Sequence, residues 1–144
     1  MNRALPWILV AIPAAVFLVF LPAKFSGAVE TQHIFATVGA WLGSIGLGAL
    51  AASFGQYGGY LVGAVELTAA VLLLVPATRR IGAALGAAVL SGALFFHLFT
   101  PLGIAVKFPG EAAGDPTLFV LAVVSWACCL ATLYRERPAR LVAA

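Results

Sequence analysis

Long apolar runs broken by short polar or basic stretches organise this chain. Four of them, residues 4–23, 57–76, 81–100 and 117–134, approach the roughly 20 residues that a hydrocarbon core of about 30 Å requires of a helix. None shows the period-two alternation of membrane strands, and lipid permits only helices or closed barrels to cross. The pattern predicts an all-α fold, an integral membrane four-helix bundle forming a single transmembrane domain over residues 1–144.

The stretch from Ile34 to Phe54 fits less simply. It is long and apolar, yet Gly39, Gly43, Gly46, Gly48, Ser44 and Ser53 interrupt it, and glycine weakens a helix by up to about 1 kcal/mol per residue. We read it as an interfacial or re-entrant segment between the first and second membrane helices, lying over the outer end of the bundle. A fifth span is the alternative. The first run has a basic start and a small-residue Ser26-Gly27-Ala28 that resembles a cleavage site. Its apolar part is longer than a signal core, so an uncleaved first span is expected. Pro13 is expected to kink that helix.

Composition agrees with this pattern, since 63% of residues are hydrophobic and 9% are charged, against about a quarter charged in soluble domains. The basic residues suggest an orientation. With four spans, Arg3, Arg79, Arg80, Arg135, Arg137 and Arg140 fall on one side and Lys24 and Lys107 on the other, which by the positive-inside rule places both termini in the cytoplasm. Flanking arginines facing anionic lipid account for the basic pI, and no soluble segment has the basic face expected of a nucleic-acid binder. The expected partner is therefore the lipid bilayer and not nucleic acid.

The candidate chemistry begins with Glu66, the sole charged residue in the run Tyr57 to Pro76. A carboxylate at such a depth costs several kcal/mol and marks a functional position. Gly59, Gly63, Glu66 and Ala70 recur at helical spacing, as do Gly82, Gly86, Ala93 and His97, so the small residues that allow close helix packing share a face with one polar group in each helix. His97 is expected nearer the outer surface than Glu66, with a water or a ligand's polar group between them. Lys24, Glu30, His33 and Thr100 are candidates for the mouth of such a site. A neutral Glu66 could donate a hydrogen bond to a carbonyl, as on a quinone ring, and a charged one could pair with a cation or pass a proton.

Other chemistries lack support. Cys128 and Cys129 are adjacent in the fourth run, with side chains about 100° apart on a helix, and read as packing residues. No spacing of His33, His97 and the cysteines suggests a metal, and no nucleophile elbow or phosphate loop appears. No independent catalytic motif is present.

Taken together, Lys24-Phe25-Ser26-Gly27, His33-Ile34-Phe35, Gly63-x-x-Glu66-Leu67, Leu72-Leu73-Leu74-x-Pro76 and Gly92-Ala93-x-Phe95-Phe96-His97-Leu98 give a chain that resembles the DoxX-like family of small membrane proteins, over roughly residues 1 to 134. The resemblance implies a four-helix bundle with an outer segment after the first helix, in a bacterial inner membrane. The glycine-rich Ala36 to Gln56 connection is longer than in the shortest members. The positions carried over are Lys24, Gly27, His33, Glu66 and His97. The family implies several roles, among them membrane subunits of quinone-linked oxidoreductases, components of thiol-redox complexes and assembly chaperones of membrane receptors.

Three readings follow. In the first, an accessory subunit of a membrane redox system binds a quinone or other lipophilic molecule through Glu66, His97, Lys24, His33, Thr100 and Gly63, with a redox partner or a second copy beside it, which calls for a headgroup-sized cavity beside both Glu66 and His97. In the second, a non-catalytic scaffold or chaperone offers its small-residue faces to partner helices, which would leave a Gly82–Gly86 stripe facing lipid. The third is a small-solute or proton transporter using Glu66.

Overall fold

The computed structural model describes residues 4–136; Arg3, Arg137 and Arg140 of the charge argument lie outside them. Five helices follow in order: α1 (Leu5–Ser26), α2 (Val29–Ser44), α3 (Gly48–Leu74), α4 (Arg79–Phe99) and α5 (Thr117–Arg135). Four of them, α1, α3, α4 and α5, are long and apolar enough to cross a membrane. These four close into a ring in which α1 packs on α3, α3 on α4, α4 on α5 and α5 on α1.

The centre of this ring is built from small and medium side chains. Val10, Ala14 and Phe17 of α1 meet Ala69, Ala70 and Leu73 of α3, Ala83, Ala87 and Leu90 of α4, and Ala122 and Cys129 of α5. Large apolar residues such as Val19, Leu61, Val71 and Ile81 point outward instead, the arrangement expected where lipid is the solvent and close packing holds helices together. The face around Gly82 and Gly86 is internal. A Cβ on Gly82 would stand 2.5 Å from the backbone nitrogen of Leu73, and one on Gly86 3.0 Å from Cys129 Sγ. Trp126 Nε1 donates to Ser91 Oγ at 2.9 Å, adding a polar tie between α4 and α5.

One sequence expectation changes here. The second membrane helix begins at Gly48 and not at Tyr57, and Gly55, Gly58 and Gly59 within it face Phe35 and Thr31 of α2 without breaking it. A Cβ on Gly39 of α2 would meet the Ala51 carbonyl of α3 at 2.8 Å. The Ile34–Phe54 stretch is thus not one continuous span. Its first part completes α2, its last part starts α3, and a turn at residues 45–47 folds the two into an antiparallel hairpin. α1 runs as one helix through Pro13 and Pro22.

The order of contacts along α3 explains why α1 and α2 scarcely touch. Leu73, near the end of α3, belongs to the core that α1 shares, Gly63 faces Lys24 and Phe25 at the end of α1, Gly59 faces Thr31 at the start of α2, and Gly43 near the end of α2 faces Ala51. α1 and α2 therefore lie one after the other along α3. A second small core sits at the far end, where Val38 of α2 packs with Leu102 and Val106 of the 100–116 connection, flanked by Phe54, Phe96 and Phe108.

At the opposite end Arg79 ties four helices together. Its Nε donates to the Leu73 carbonyl at 3.2 Å, its guanidinium lies 4.5 Å from the Trp7 ring centroid, and Nη1 stands 3.6 Å from Glu136 Oε1. Its Nη2 is buried without a hydrogen-bond partner among the described residues. Arg79→Leu is expected to destabilise the purified protein by about 1–3 kcal/mol, the range for losing hydrogen bonds to a charged group, read as a lower Tm in detergent.

Candidate functional site

Lys24 and Glu66 meet because small residues let α1 approach α3. At Gly63 an added Cβ would stand 3.4 Å from Lys24 Cβ, and at Gly59 it would stand 3.6 Å from the Lys24 carbonyl oxygen and 2.9 Å from Thr31 Cγ2. The Lys24 ammonium reaches along this glycine face and donates to Glu66 Oε2 at 2.5 Å. The Lys24 side chain keeps 17% of its exposure and that of Glu66 10%. An acid in the apolar run of α3 thus has its counter-ion, which offsets the cost of a charge at this depth. The pair carries no net charge.

Beside the pair lies a groove of about 350 Å³, formed where α1 turns into α2 over the middle of α3. Its walls are Lys24, Gly27, Thr31, Gln32, Phe35, Ala36, Gly55, Gln56, Gly59 and Tyr60. The turn itself depends on Gly27, whose φ of 66° suits a residue without a Cβ. Gln32 Nε2 donates to the Gly27 carbonyl at 2.7 Å, and the Phe25 ring stands 6.4 Å from that of Tyr60. Apolar walls with a few hydrogen-bonding groups are the usual make-up of a small-molecule site. Lys24 is the sole charged group on the wall, and its ammonium has three N–H groups to share between Glu66 and the groove.

The remaining sequence candidates are placed elsewhere. Glu66 lies about 12 Å from the end of α3 at Leu74, whereas His97 lies about 27 Å from the start of α4 at Arg79. These two helix ends adjoin, since Arg79 bonds the Leu73 carbonyl, so the two residues differ by about 15 Å in height. His97 Nδ1–H donates to the Gly103 carbonyl at 2.7 Å, and the ring packs edge-on against Phe119. Thr100 Oγ1 donates to the Phe96 carbonyl at 2.5 Å and accepts from Leu102 N–H at 3.3 Å. His33 packs edge-on against Phe108, and Glu30 is exposed in the first turn of α2. His97 and Thr100 hold the 100–116 connection in place. That connection ends on Asp115, whose Oδ1 accepts from the backbone and hydroxyl of Thr117; these bonds hold its carboxyl below the usual range.

Thr31, Gln32, Gln56 and Tyr60 were not among the sequence candidates. Their signal was faint: single polar groups at the edges of an apolar stretch, brought together only by the α2–α3 hairpin. Gly55 and Gly59 at a spacing of four, with Thr31 and Phe35 at the same spacing, form the matching faces of that hairpin. No family model, curated protein or solved structure matches the chain.

Proposed function

We propose that this membrane protein binds a lipophilic small molecule whose polar head docks against Lys24 in the α1–α2–α3 groove, with Glu66 holding the ammonium in place. The observation that carries this reading is the groove itself, which adjoins an otherwise apolar bundle at its buried ion pair. Charge balance narrows the ligand. Because Glu66 already neutralises Lys24, a neutral head with hydrogen-bond acceptors is matched better than a free anion. A quinone ring fits that description: one carbonyl accepts from Lys24, the amides of Gln32 and Gln56 and the Tyr60 hydroxyl lie within the same walls, and Phe35 offers an apolar ring face. The DoxX-like resemblance points the same way, toward an accessory subunit of a membrane redox system in a bacterial inner membrane, with both termini cytoplasmic. The quinone would supply the redox chemistry; the residues named here bind and orient it.

The scaffold reading loses its main support, since Gly82 and Gly86 are buried against α3 and against Phe17 and Cys129. The test is extraction and mass spectrometry of small molecules carried through purification, wild type against Glu66→Ala. A quinone or other lipophile held by the wild type and lost from the variant is the expected result. Equal recovery from both, or none from the wild type in quinone-containing membranes, would refute the assignment.

A further inference from the structure

Two connections lie at the end of the bundle opposite Arg79, and they differ in kind. The 100–116 connection is exposed and charged, with Lys107, Glu111 and Asp115 all on its surface, so it faces water. The turn between α2 and α3 is also exposed, every residue from 43 to 50 being open on the surface, yet it presents Ile45, Leu47 and Leu50. From Thr31 to Val65 the chain has no Lys, Arg, Asp or Glu. An exposed apolar surface without a single charge calls for a cover.

We infer that the α2–α3 turn is immersed in the acyl chains of the leaflet opposite Arg79, so that the groove below it is entered sideways from the membrane. Two further observations point to lipid as the cover. Much of the turn's hydrogen bonding is internal: Ile45 N–H donates to Trp41 O, Gly46 to Gly43 O, Leu47 to Leu42 O, and Leu50 and Ala51 to Leu47 O, and Ser44 and Ser53 hydroxyls donate to carbonyls one turn back. Each such bond lowers the cost of holding a non-helical turn in lipid. The surface is continuous with the lipid-facing side of the bundle, since Trp41 packs against Phe95 and Phe96, and Phe95 against the exposed Phe99.

The consequence for access follows from position. Gly55, Gln56, Gly59 and Tyr60 lie nearer the Arg79 end of α3 than the turn does. A turn at acyl-chain depth therefore puts the groove at that depth too, and a ligand reaches Lys24 by lateral partition and not through water. This last step rests on the proposed binding role; the immersion does not.

Nitroxide labels at Leu47→Cys and, as a gentler change, Ala49→Cys test the inference in liposomes, with Ala113→Cys in the charged connection as reference and the unsubstituted protein as the control for Cys128 and Cys129. Collision with oxygen exceeding that with a water-soluble nickel chelate at 47 and 49, and the reverse at 113, is the expected result. Chelate-dominated collision at 47 and 49 would place the turn in water and overturn the inference. Low collision with both reagents would mean a protein cover, with dipolar broadening marking a second copy, and would overturn it as well. Immersion without any copurified lipophile would leave the turn assignment standing and refute the binding role alone.

Discussion

Lys24→Met is expected to abolish ligand retention and to lower stability by an amount near the lower end of the about 3–5 kcal/mol lost when one partner of a buried ion pair is removed. The residual exposure of the pair sets the lower end. Methionine keeps most of the length and apolar stem of lysine, so the packing of that stem beside Gly63 and Phe20 is largely preserved. What disappears is the ammonium, which leaves Glu66, only 8% exposed, without its counter-ion. The double variant Lys24→Met with Glu66→Leu separates the two roles. It removes both charges and replaces the pair by apolar groups, a change that is often neutral or stabilising. Its Tm in detergent should return close to the wild-type value while ligand retention stays lost. A Lys24→Met protein with unchanged Tm and unchanged ligand content would show that the pair neither holds α1 to α3 nor faces the ligand. A double variant that still retains the ligand would move the docking group to Gln32, Gln56 or Tyr60.

The pair also shows which parts of the site were legible in the sequence. Glu66 was conspicuous because one acid in an apolar run is a strong signal at any register. Gly63 shared its helical face, and Lys24 stood at the end of the preceding span, so both could be named without coordinates. Their pairing could not be read, because it depends on how far α1 passes along α3, and helix height across a bundle is set by packing that linear spacing does not encode. The same limit displaced His97. Its periodicity put it on an inward face, and it is indeed buried, but the 100–116 connection folds back to use it through Gly103. The four long helices followed from run length alone. The hairpin did not, since Gly39 and Gly43 look like helix breakers until α3 is found packed against them, whereas Gly46, with a φ of 89°, does end the helix and makes the turn. The four polar groove residues Thr31, Gln32, Gln56 and Tyr60 belong to that hairpin, and they stayed hidden with it.

Gly82→Ala is expected to be the most damaging single-methyl change among the buried glycines of the bundle interior, costing about 1–3 kcal/mol as an overpacked core, with Gly82→Leu failing to yield a folded monodisperse protein. The obstacle is backbone and not a movable side chain: the new Cβ would lie 2.5 Å from Leu73 N and 2.7 Å from Leu72 C. Relief requires α3 and α4 to separate near their joined ends, where Leu73 is fully buried and its carbonyl receives the Arg79 bond. Separation would therefore cost both the core contact and that hydrogen bond. Gly92→Ala on the same helix is the matched control, since a Cβ there meets nothing within 4 Å. That variant should be neutral or gain up to about 1 kcal/mol from helix propensity. Thermal unfolding of the two variants in one detergent decides the matter, and it bears on function as well as on packing. If Gly82→Ala is as benign as Gly92→Ala, the α3–α4 interface is looser than its geometry implies, and the Gly82–Gly86 face becomes available again for a partner helix. If it is costly, that face is committed to holding α4 against the helix that carries Glu66, and it is closed to a partner helix.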